Sequence, residues 1–214
     1  MKCVAVSDFH MHDIDTPPAD LLIVAGDMTY KGTKAELNWF IDWMNRQPQK
    51  HKVWIAGNHE LGLEDDPQSP GRIAAATNSI YLDDSSTIIE GVTIYGSPIT
   101  PWFYDWAFNR HRGQEIRRHW QKIPEGLDIL ITHGPPYGIL DLSSTIEHCG
   151  CADLLETLCT TLRKPPRLHI FGHIHSSYGQ ATLLRHDKQN VQLMNVSTCD
   201  DKYEATHAPI VFEM

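Results

Sequence analysis

A chain of 214 residues with 41% hydrophobic and 21% charged residues can bury a sizeable core, which excludes an extended disordered protein. Its formal net charge of −9 argues against non-specific polyanion binding as the main role, although bound cations would reverse the field around a small phosphate ester. Neither a signal peptide nor an apolar run of membrane length is apparent and the five cysteines are odd in number, so we expect a cytoplasmic protein with reduced thiols.

Short apolar or β-branched runs predict strands along the chain, and most of the turns between them are marked by Gly, Pro or Asn. The predicted strands are Cys3–Ser7, Leu21–Ala25, Lys52–Ala56, Val92–Tyr95, Asp128–Thr132, Leu168–Phe171 and Val191–Val196, with Ser79–Leu82, Thr87–Ile89 and Ile210–Phe212 as further candidates. The predicted helices are Ala35–Asn45, Ile116–Lys122 and Ala152–Arg163. This alternation, without repeats or linkers, predicts a single α/β domain over residues 1–214.

Acidic residues follow the first two predicted strands. Asp8 and His10 stand two residues apart just past the first strand, in the position where open α/β sheets usually bind ligands. Asp27 follows Gly26 at the end of the second strand. Taken alone, a turn-forming aspartate with a surface histidine explains the first block better than a ligand pair does. For the second block, a helix or turn cap explains Asp27 as well as a carboxylate that bridges two cations.

Histidines follow three later strands. Asn58 and His59 come after a glycine that lets the backbone approach a ligand, and His133 precedes a rigid Gly-Pro-Pro run. His173 and His175 stand at i and i+2 on an extended segment, so they would share one face. A bare turn still competes with function for each block, but His-x-His is the most specific of them.

The agreement of five strand ends is more informative than any one of them. Carboxylate, amide oxygen and imidazole ligands suit Mn²⁺, Fe, Zn²⁺, Co²⁺ or Ni²⁺ rather than a thiolate site. Cys149 and Cys151 are the only close cysteine pair, and no second pair completes a soft metal site with them. The sequence therefore predicts a site for hard or borderline cations at the strand ends.

In this order, the blocks resemble the calcineurin-like metallophosphoesterase superfamily, whose pattern is Asp-x-His, Gly-Asp, Gly-Asn-His, a single His and Gly-His-x-His. The resemblance extends from Asp8 to His175. Four longer segments are similar to the metallophosphoesterase domain-containing proteins, a group related to class III cyclic nucleotide phosphodiesterases: Ala56–Leu61, Thr100–Phe103, Thr132–Pro136 and Asn195–Cys199. The resemblance implies a four-layer α/β/β/α sandwich with two mixed β-sheets.

The resemblance also implies two divalent transition-metal ions, with manganese as the first expectation and iron, zinc, cobalt or nickel as alternatives. Two sets of residues would each hold one ion: Asp8, His10 and His175 the first, and Asn58, His133 and His173 the second. Asp27 would bridge the two ions. His59 would lie beside the substrate phosphate without binding metal, so that Asn58 and His59 both contact the substrate.

The implied reaction is hydrolysis of small phosphodiesters, with cyclic nucleotides as the first candidates, by in-line attack of a hydroxide that bridges the metals. His59 would protonate the leaving group. A phosphomonoesterase or a nuclease with the same site stays open, and so does a non-catalytic protein-binding scaffold, although the complete ligand set argues against the scaffold. The aromatic segment Trp102–Trp106 is explained by core packing, by a subunit contact or by a rim that stacks on a nucleobase.

Overall fold

The computed structural model describes residues 1–214, and most of its strands belong to two mixed sheets. The first sheet consists of Lys2–Val6 (β1), Leu21–Ala25 (β2), His51–Ile55 (β3), Ile80–Tyr81 (β4) and Ile210–Glu213 (β13). The second consists of Ser85–Ile89 (β5), Val92–Ser97 (β6), Ile129–Thr132 (β9), Leu168–Phe171 (β10), Gly179–Leu183 (β11) and Val191–Asn195 (β12). A separate short pair is formed by Thr100–Pro101 (β7) and Asn109–Arg110 (β8).

Strand direction brings the predicted site residues to one edge of each sheet. In the first sheet, ordered β13-β1-β2-β3-β4, only β13 runs antiparallel to its neighbour. In the second, ordered β11-β12-β10-β9-β6-β5, only the two edge strands are antiparallel. A parallel bridge between Ser7 and Ser197 joins the two sheets just beyond β1 and β12. The carboxyl ends of the central strands therefore meet along a common seam.

Helices cover the outer faces of both sheets. They are Lys34–Arg46 (α1), Leu61–Asp65 (α2), Ser69–Thr77 (α3), Gln114–Trp120 (α4) and Ala152–Glu156 (α5), and α5 continues into a π-helical turn at Thr157–Thr161. A 3₁₀ turn occupies His175–Ser177. None of these helices combines the length and the apolar composition that crossing a bilayer requires.

Alternation along the strands separates two apolar layers. In β9, Ile129 and Ile131 face the layer between the sheets, while Leu130 belongs to the outer cluster that includes the helices. On the outer face of the first sheet, Phe40 of α1 packs edge-on against Trp54 of β3, with ring centroids 5.3 Å apart. The architecture is a four-layer sandwich with two mixed sheets, which confirms the predicted fold.

Candidate metal centre

All of the predicted site residues lie in the segments that follow β1, β2, β3, β9 and β10, and His175 begins the 3₁₀ turn beyond β10. They form three overlapping clusters whose potential ligand atoms are within 4.8 Å of one another: Asp8 with His10 and His175, His10 with Asp27 and His59, and Asp27 with His133 and His173. Asn58 joins the third cluster, because its Oδ1 is 2.9 Å from His133 Nε2. No predicted site residue is left outside this assembly, and no cysteine belongs to the three clusters.

Four of these residues have a backbone conformation that is uncommon for residues other than glycine. Asp8, His10, Asp27 and His173 have φ values of 49°, 39°, 54° and 70°, in the left-handed region that favours glycine. A residue with a Cβ loses about 1–2 kcal/mol in this conformation. Strain of this kind clusters at functional sites, because the surrounding structure must impose it.

Two glycines of the sequence blocks are required by space. A Cβ at Gly172 would contact Asp8 Oδ2, and a Cβ at Gly57 would contact Asp27 Oδ1. Both glycines therefore let a neighbouring chain segment approach the carboxylates at the centre of the site. The Gly-His and Gly-Asn pairs of the sequence have their physical reason in this close packing.

Asp8 is fully buried and surrounded by donors. Its carboxylate accepts hydrogen bonds from the His173 backbone N–H at 2.9 and 3.0 Å, from Ser7 Oγ at 2.5 Å and from Ser197 Oγ at 2.9 Å. Burial acts to raise the pKa of Asp8, but the hydrogen bond and charge of His175 outweigh it and hold the pKa below its usual value. The carboxylate is therefore fixed as an anion.

The rings of His10 and His175 are oriented so that a positive charge between them would be stabilising. His10 Nδ1 donates to the Thr29 carbonyl at 3.1 Å, and His175 Nδ1 donates to the Asp200 carbonyl at 2.9 Å. In a neutral ring each Nε2 then carries a lone pair, yet the two Nε2 atoms lie 3.3 Å apart. A shared proton or a bound cation resolves this repulsion, and a carbonyl on the other ring nitrogen is the usual support of a metal-binding histidine.

His133 repeats the arrangement on the other side of Asp27. Its Nδ1 donates to the Ala25 carbonyl at 2.9 Å, and its Nε2 faces Asn58 Oδ1 at 2.9 Å and Asp27 Oδ2 at 3.1 Å. Burial acts to lower the pKa of His133, but the charge of Asp27 outweighs it and raises the pKa to about 10. Without a metal, a proton takes the place of the cation between these groups.

Two imidazoles of the centre, those of His10 and His173, are held neutral. Burial lowers the pKa of His10 to about 4, against the opposing charges of Asp27 and Asp8. Burial, with the charge of His133, also lowers the pKa of His173 to about 4. Neutral imidazole is the form that binds metal ions, so the donor set fits hard or borderline divalent cations.

Glu60 supports the centre from behind and was given no role by the sequence analysis. It is fully buried, and its carboxylate accepts the backbone N–H groups of Asp27 at 2.9 Å, Gly57 at 2.7 Å and Thr29 at 3.0 Å. Burial and the charge of Asp27 raise the pKa of Glu60 to about 7, against the effect of these donors. Its signals in the sequence were its position next to His59 and its place within the segment Ala56–Leu61.

His59 lies at the edge of the centre, with 9% of its surface exposed. Its Nδ1 donates to the Tyr30 carbonyl at 2.9 Å, and its backbone N–H donates to Asp27 Oδ1 at 2.9 Å. The ring packs against Trp106 at a centroid distance of 4.4 Å. These contacts leave Nε2 as the ring nitrogen available to a metal or a substrate.

A cavity of about 630 Å³ opens from the centre. Trp102 and Phe103, which are 49% and 43% exposed, line it, whereas Tyr104 is 79% exposed and lies outside it. Tyr203 lines it as well and packs 4.7 Å from the His10 ring, a contact that the sequence analysis missed. In the predicted aromatic segment, Trp102 and Phe103 thus line the cavity, Tyr104 is exposed outside it, and Trp106 packs against His59.

Comparison with known proteins finds relatives along nearly the whole chain. Residues 2–177 match the family described as calcineurin-like phosphoesterase. Human metallophosphoesterase domain-containing protein 1 is 39% identical to this chain over 237 residues, which cover 100% of this chain and 71% of that protein. A UPF0046 protein of Caenorhabditis elegans is 36% identical, with 99% of this chain and 74% of that protein covered.

Solved structures agree at the level of the fold. One aligns over 99% of this chain and 98% of its own with a TM-score of 0.67 at 15% identity. Another, the protein TT1561 of Thermus thermophilus, aligns over 91% of this chain and 88% of its own with a TM-score of 0.54 at 12% identity. The family match and the relatives above show that the chain belongs to the calcineurin-like phosphoesterase family, the metal-dependent hydrolases of phosphoric esters.

Proposed function

We propose that this protein is a dinuclear metal-dependent phosphodiesterase that acts on small substrates, with cyclic nucleotides as the first candidates. In this proposal two sets of residues each hold one divalent ion, manganese first: Asp8, His10 and His175 the first ion, and Asn58, His133 and His173 the second. Asp27 bridges the two ions. Substrate phosphate lies against Asn58 and His59 at the mouth of the cavity.

One observation carries the proposal. Asp27 belongs to two of the three ligand clusters, one with His10 and one with His133 and His173. Two neighbouring cations need a ligand that can contact both of them. A carboxylate that belongs to both ligand clusters meets this need. The backbone carbonyls that accept hydrogen bonds from Nδ1 of His10 and of His133 support the proposal, because they leave Nε2 of each ring facing the centre.

The chemistry follows from what these residues orient. When bound, divalent cations would lower the pKa of a water from 15.7 to about 7 and neutralise charge on the phosphoryl oxygens. Asn58 contributes a neutral amide oxygen, so it adds no further negative charge to a site that must accept a phosphate. His59, protonated on both ring nitrogens, can keep its bond to Tyr30 through Nδ1 and give the Nε2 proton to the leaving oxygen.

The test combines metal stoichiometry with substrate preference. Protein stripped with a chelator is titrated with Mn²⁺ by calorimetry, and hydrolysis of bis(p-nitrophenyl) phosphate is compared with that of p-nitrophenyl phosphate. We expect two bound ions per chain and a higher kcat/KM for the diester, which releases the same leaving group as the monoester. A preference for the monoester would refute the phosphodiesterase assignment, and a single bound ion would refute the dinuclear centre.

Asp27→Asn provides the matched variant for the bridge. We expect it to lose one or both ions and most of the diesterase activity, because an amide supplies only one oxygen to ligate both cations. The control is Asp42→Asn, since Asp42 lies exposed on α1. An Asp27→Asn protein with two ions and full activity would contradict the bridging role.

A further inference from the structure

A second histidine-carboxylate pair lies on the cavity wall outside the metal centre. His148 Nδ1 is 2.7 Å from Oδ1 of Asp141, which is only 1% exposed. The other carboxylate oxygen of Asp141 accepts the backbone N–H groups of Gly138 at 2.8 Å and Gly150 at 3.0 Å. The carboxylate is thus held by the loop on both sides, and it holds the His148 ring in one orientation.

This loop is attached to the segment that carries His175. The Leu142 carbonyl accepts the hydroxyl groups of Ser176 at 3.0 Å and Ser177 at 2.8 Å. Asn195 Nδ2 donates to carbonyls on both segments, at Leu140 and Ile174. His148 therefore has a fixed position relative to the metal centre, and both line the same cavity.

The fixed ring leaves one nitrogen for a ligand. With Nδ1–H given to the carboxylate, Nε2 presents a lone pair when the ring is neutral and an N–H when it is charged. A hydroxyl group is a suitable partner in both states, because it can donate to the lone pair or accept from the N–H.

The charged residues that line the cavity outside the metal centre select between two ligand classes. Glu147 and Asp201 line the cavity together with His148, and Arg112 is the one arginine among them. Arg112 Nη1 is engaged by the Gly150 carbonyl at 3.0 Å. Two carboxylates disfavour a second phosphate here, so the neighbourhood suits a neutral, hydroxyl-bearing group.

We propose that His148, oriented by Asp141, hydrogen-bonds a sugar hydroxyl of the substrate and thereby favours nucleoside diesters over compact ones. This specificity role rests on the proposed phosphodiesterase function. Because the contact is remote from phosphorus and is made equally in the ground and transition states, its loss raises KM and leaves kcat unchanged.

The test uses two diesters with one leaving group, thymidine 5′-(p-nitrophenyl phosphate) and methyl p-nitrophenyl phosphate. His148→Asn keeps an amide N–H near the position of Nδ1, so it retains the bond to Asp141 but deletes Nε2. We expect KM for the nucleoside diester to rise about 3- to 10-fold, the effect of one neutral hydrogen bond, with both constants for the methyl diester unchanged. His186→Asn, at an exposed histidine outside the cavity, is the control and should match the wild type.

Equal losses on both diesters, or no change on either, would overturn the role of His148. If the wild type hydrolyses neither diester, the proposed function fails, and a binding measurement then decides the role of His148 separately. Calorimetry on Mn²⁺-loaded protein should show thymidine 5′-monophosphate binding about 3- to 10-fold more weakly to His148→Asn than to the wild type, with methyl phosphate unaffected. Equal affinity of the two proteins for the nucleotide, or no nucleotide binding by the wild type, would refute the proposal.

Discussion

His59 is the residue at which proton transfer and metal binding can be separated experimentally. A ring nitrogen of His59 lies within 4.8 Å of potential ligand atoms of His10 and Asp27. The geometry therefore permits His59 to serve as a metal ligand as well as a proton donor. The Tyr30 carbonyl on Nδ1 supports either role, because it fixes Nε2 toward the cavity in both. Only a measurement that follows activity and metal content together distinguishes the two.

We predict that His59→Ala retains two metal ions and loses about 10²–10⁴-fold in kcat on a substrate with an alkoxide leaving group, such as a 2′,3′-cyclic nucleotide. The loss on bis(p-nitrophenyl) phosphate should be much smaller, because p-nitrophenolate leaves without a proton. Elemental analysis and kcat on both substrates are the measurements. Loss of metal would assign His59 as a ligand, and unchanged kcat on the cyclic nucleotide would refute the general acid.

His169 is a buried polar residue that supports the loop carrying His133 but is not itself a candidate metal ligand. The Thr132 hydroxyl donates to the Gly134 carbonyl at 2.7 Å, so at 2.8 Å it can only accept the Nε2–H of His169. His169 Nδ1 has no hydrogen-bond partner. Burial lowers the pKa of His169 to about 3, so the folded protein holds this ring neutral.

A pH dependence of stability follows from that shift. Because the unfolded chain protonates His169 near pH 6.5 and the folded chain only near pH 3, acidification between these values favours unfolding by up to about 1.4 kcal/mol per pH unit. We predict that His169→Gln, which cannot take up a proton, gains about 2 kcal/mol relative to the wild type between pH 7.5 and pH 5. Urea unfolding at both pH values measures this difference, and a difference that does not change with pH would contradict it.

At the scale of elements, α1 is the helix with the most complete start signal. Thr33 Oγ1 accepts the Glu36 backbone N–H at 3.4 Å, and the Glu36 carboxylate accepts the Thr33 N–H at 2.8 Å. This capping box satisfies two donors that the first turn leaves without partners. The helix presents Phe40 and Trp43 to the outer face of the first sheet, so its start also determines how that layer packs.

We predict that Thr33→Ala lowers the free energy of unfolding by about 1 kcal/mol, because the N-cap acceptor is lost while the buried face of α1 is unchanged. Lys34→Ala, at the neighbouring exposed position, should stay within about 0.5 kcal/mol of the wild type. Chemical denaturation of the three proteins under one set of conditions provides the comparison. Equal stability of Thr33→Ala and the wild type would show that the capping box contributes nothing to the stability of the fold.

The elements also show which features the sequence could predict. All of the predicted strands are present, because each is a short apolar run that ends at a polar block, and α1 differs from its prediction by a single residue at each end. The helix at Ser69–Thr77 was missed, since Pro70 and Gly71 interrupt its first turn. The strand at Gly179–Leu183 was missed because Leu183 is its only large apolar residue, and its pairing with β12 is a tertiary contact.

The residues of the site likewise fall into those that the sequence could predict and those that it could not. Its ligand candidates could be predicted because all of them lie within a few residues of a strand end, and parallel sheets bring such loops together. Glu60, Tyr203 and the Asp141–His148 pair could not, because their roles depend on contacts between distant loops. A sequence motif identifies residues that lie near one strand end. The contacts that support them form between segments distant in sequence, so they can be seen only in the folded structure.

At the scale of the whole molecule, the metal centre lies on the seam between the two sheets. Asp8, beyond β1, accepts hydrogen bonds from the loops that follow β10 and β12, through His173 and Ser197. In the opposite direction, His133 beyond β9 donates to the carbonyl of Ala25 in β2. The ligands of each proposed ion therefore come from both sheets, and a bound ion connects the two halves of the sandwich.

Metal binding should accordingly stabilise the entire fold rather than one loop. For a ligand that binds only the folded state, a concentration of 100 times Kd adds about 2.7 kcal/mol per site, which corresponds to a rise in Tm of roughly 5–10 °C for a chain of this size. We predict at least this rise when Mn²⁺ is added to chelator-treated protein, in one cooperative transition. Differential scanning calorimetry measures both the shift and the cooperativity.

Two variants separate this linkage from general ionic effects. Asp27→Asn should lose most of the Mn²⁺-dependent rise in Tm, because Asp27 belongs to two of the clusters and an amide offers one oxygen where the carboxylate offers two. Asp42→Asn, on the exposed face of α1, should keep the full rise. A rise of equal size in both variants would mean that Mn²⁺ acts elsewhere on the chain. A rise confined to a separate transition would mean that the centre stabilises one sheet alone, which its ligands from both sides of the seam argue against.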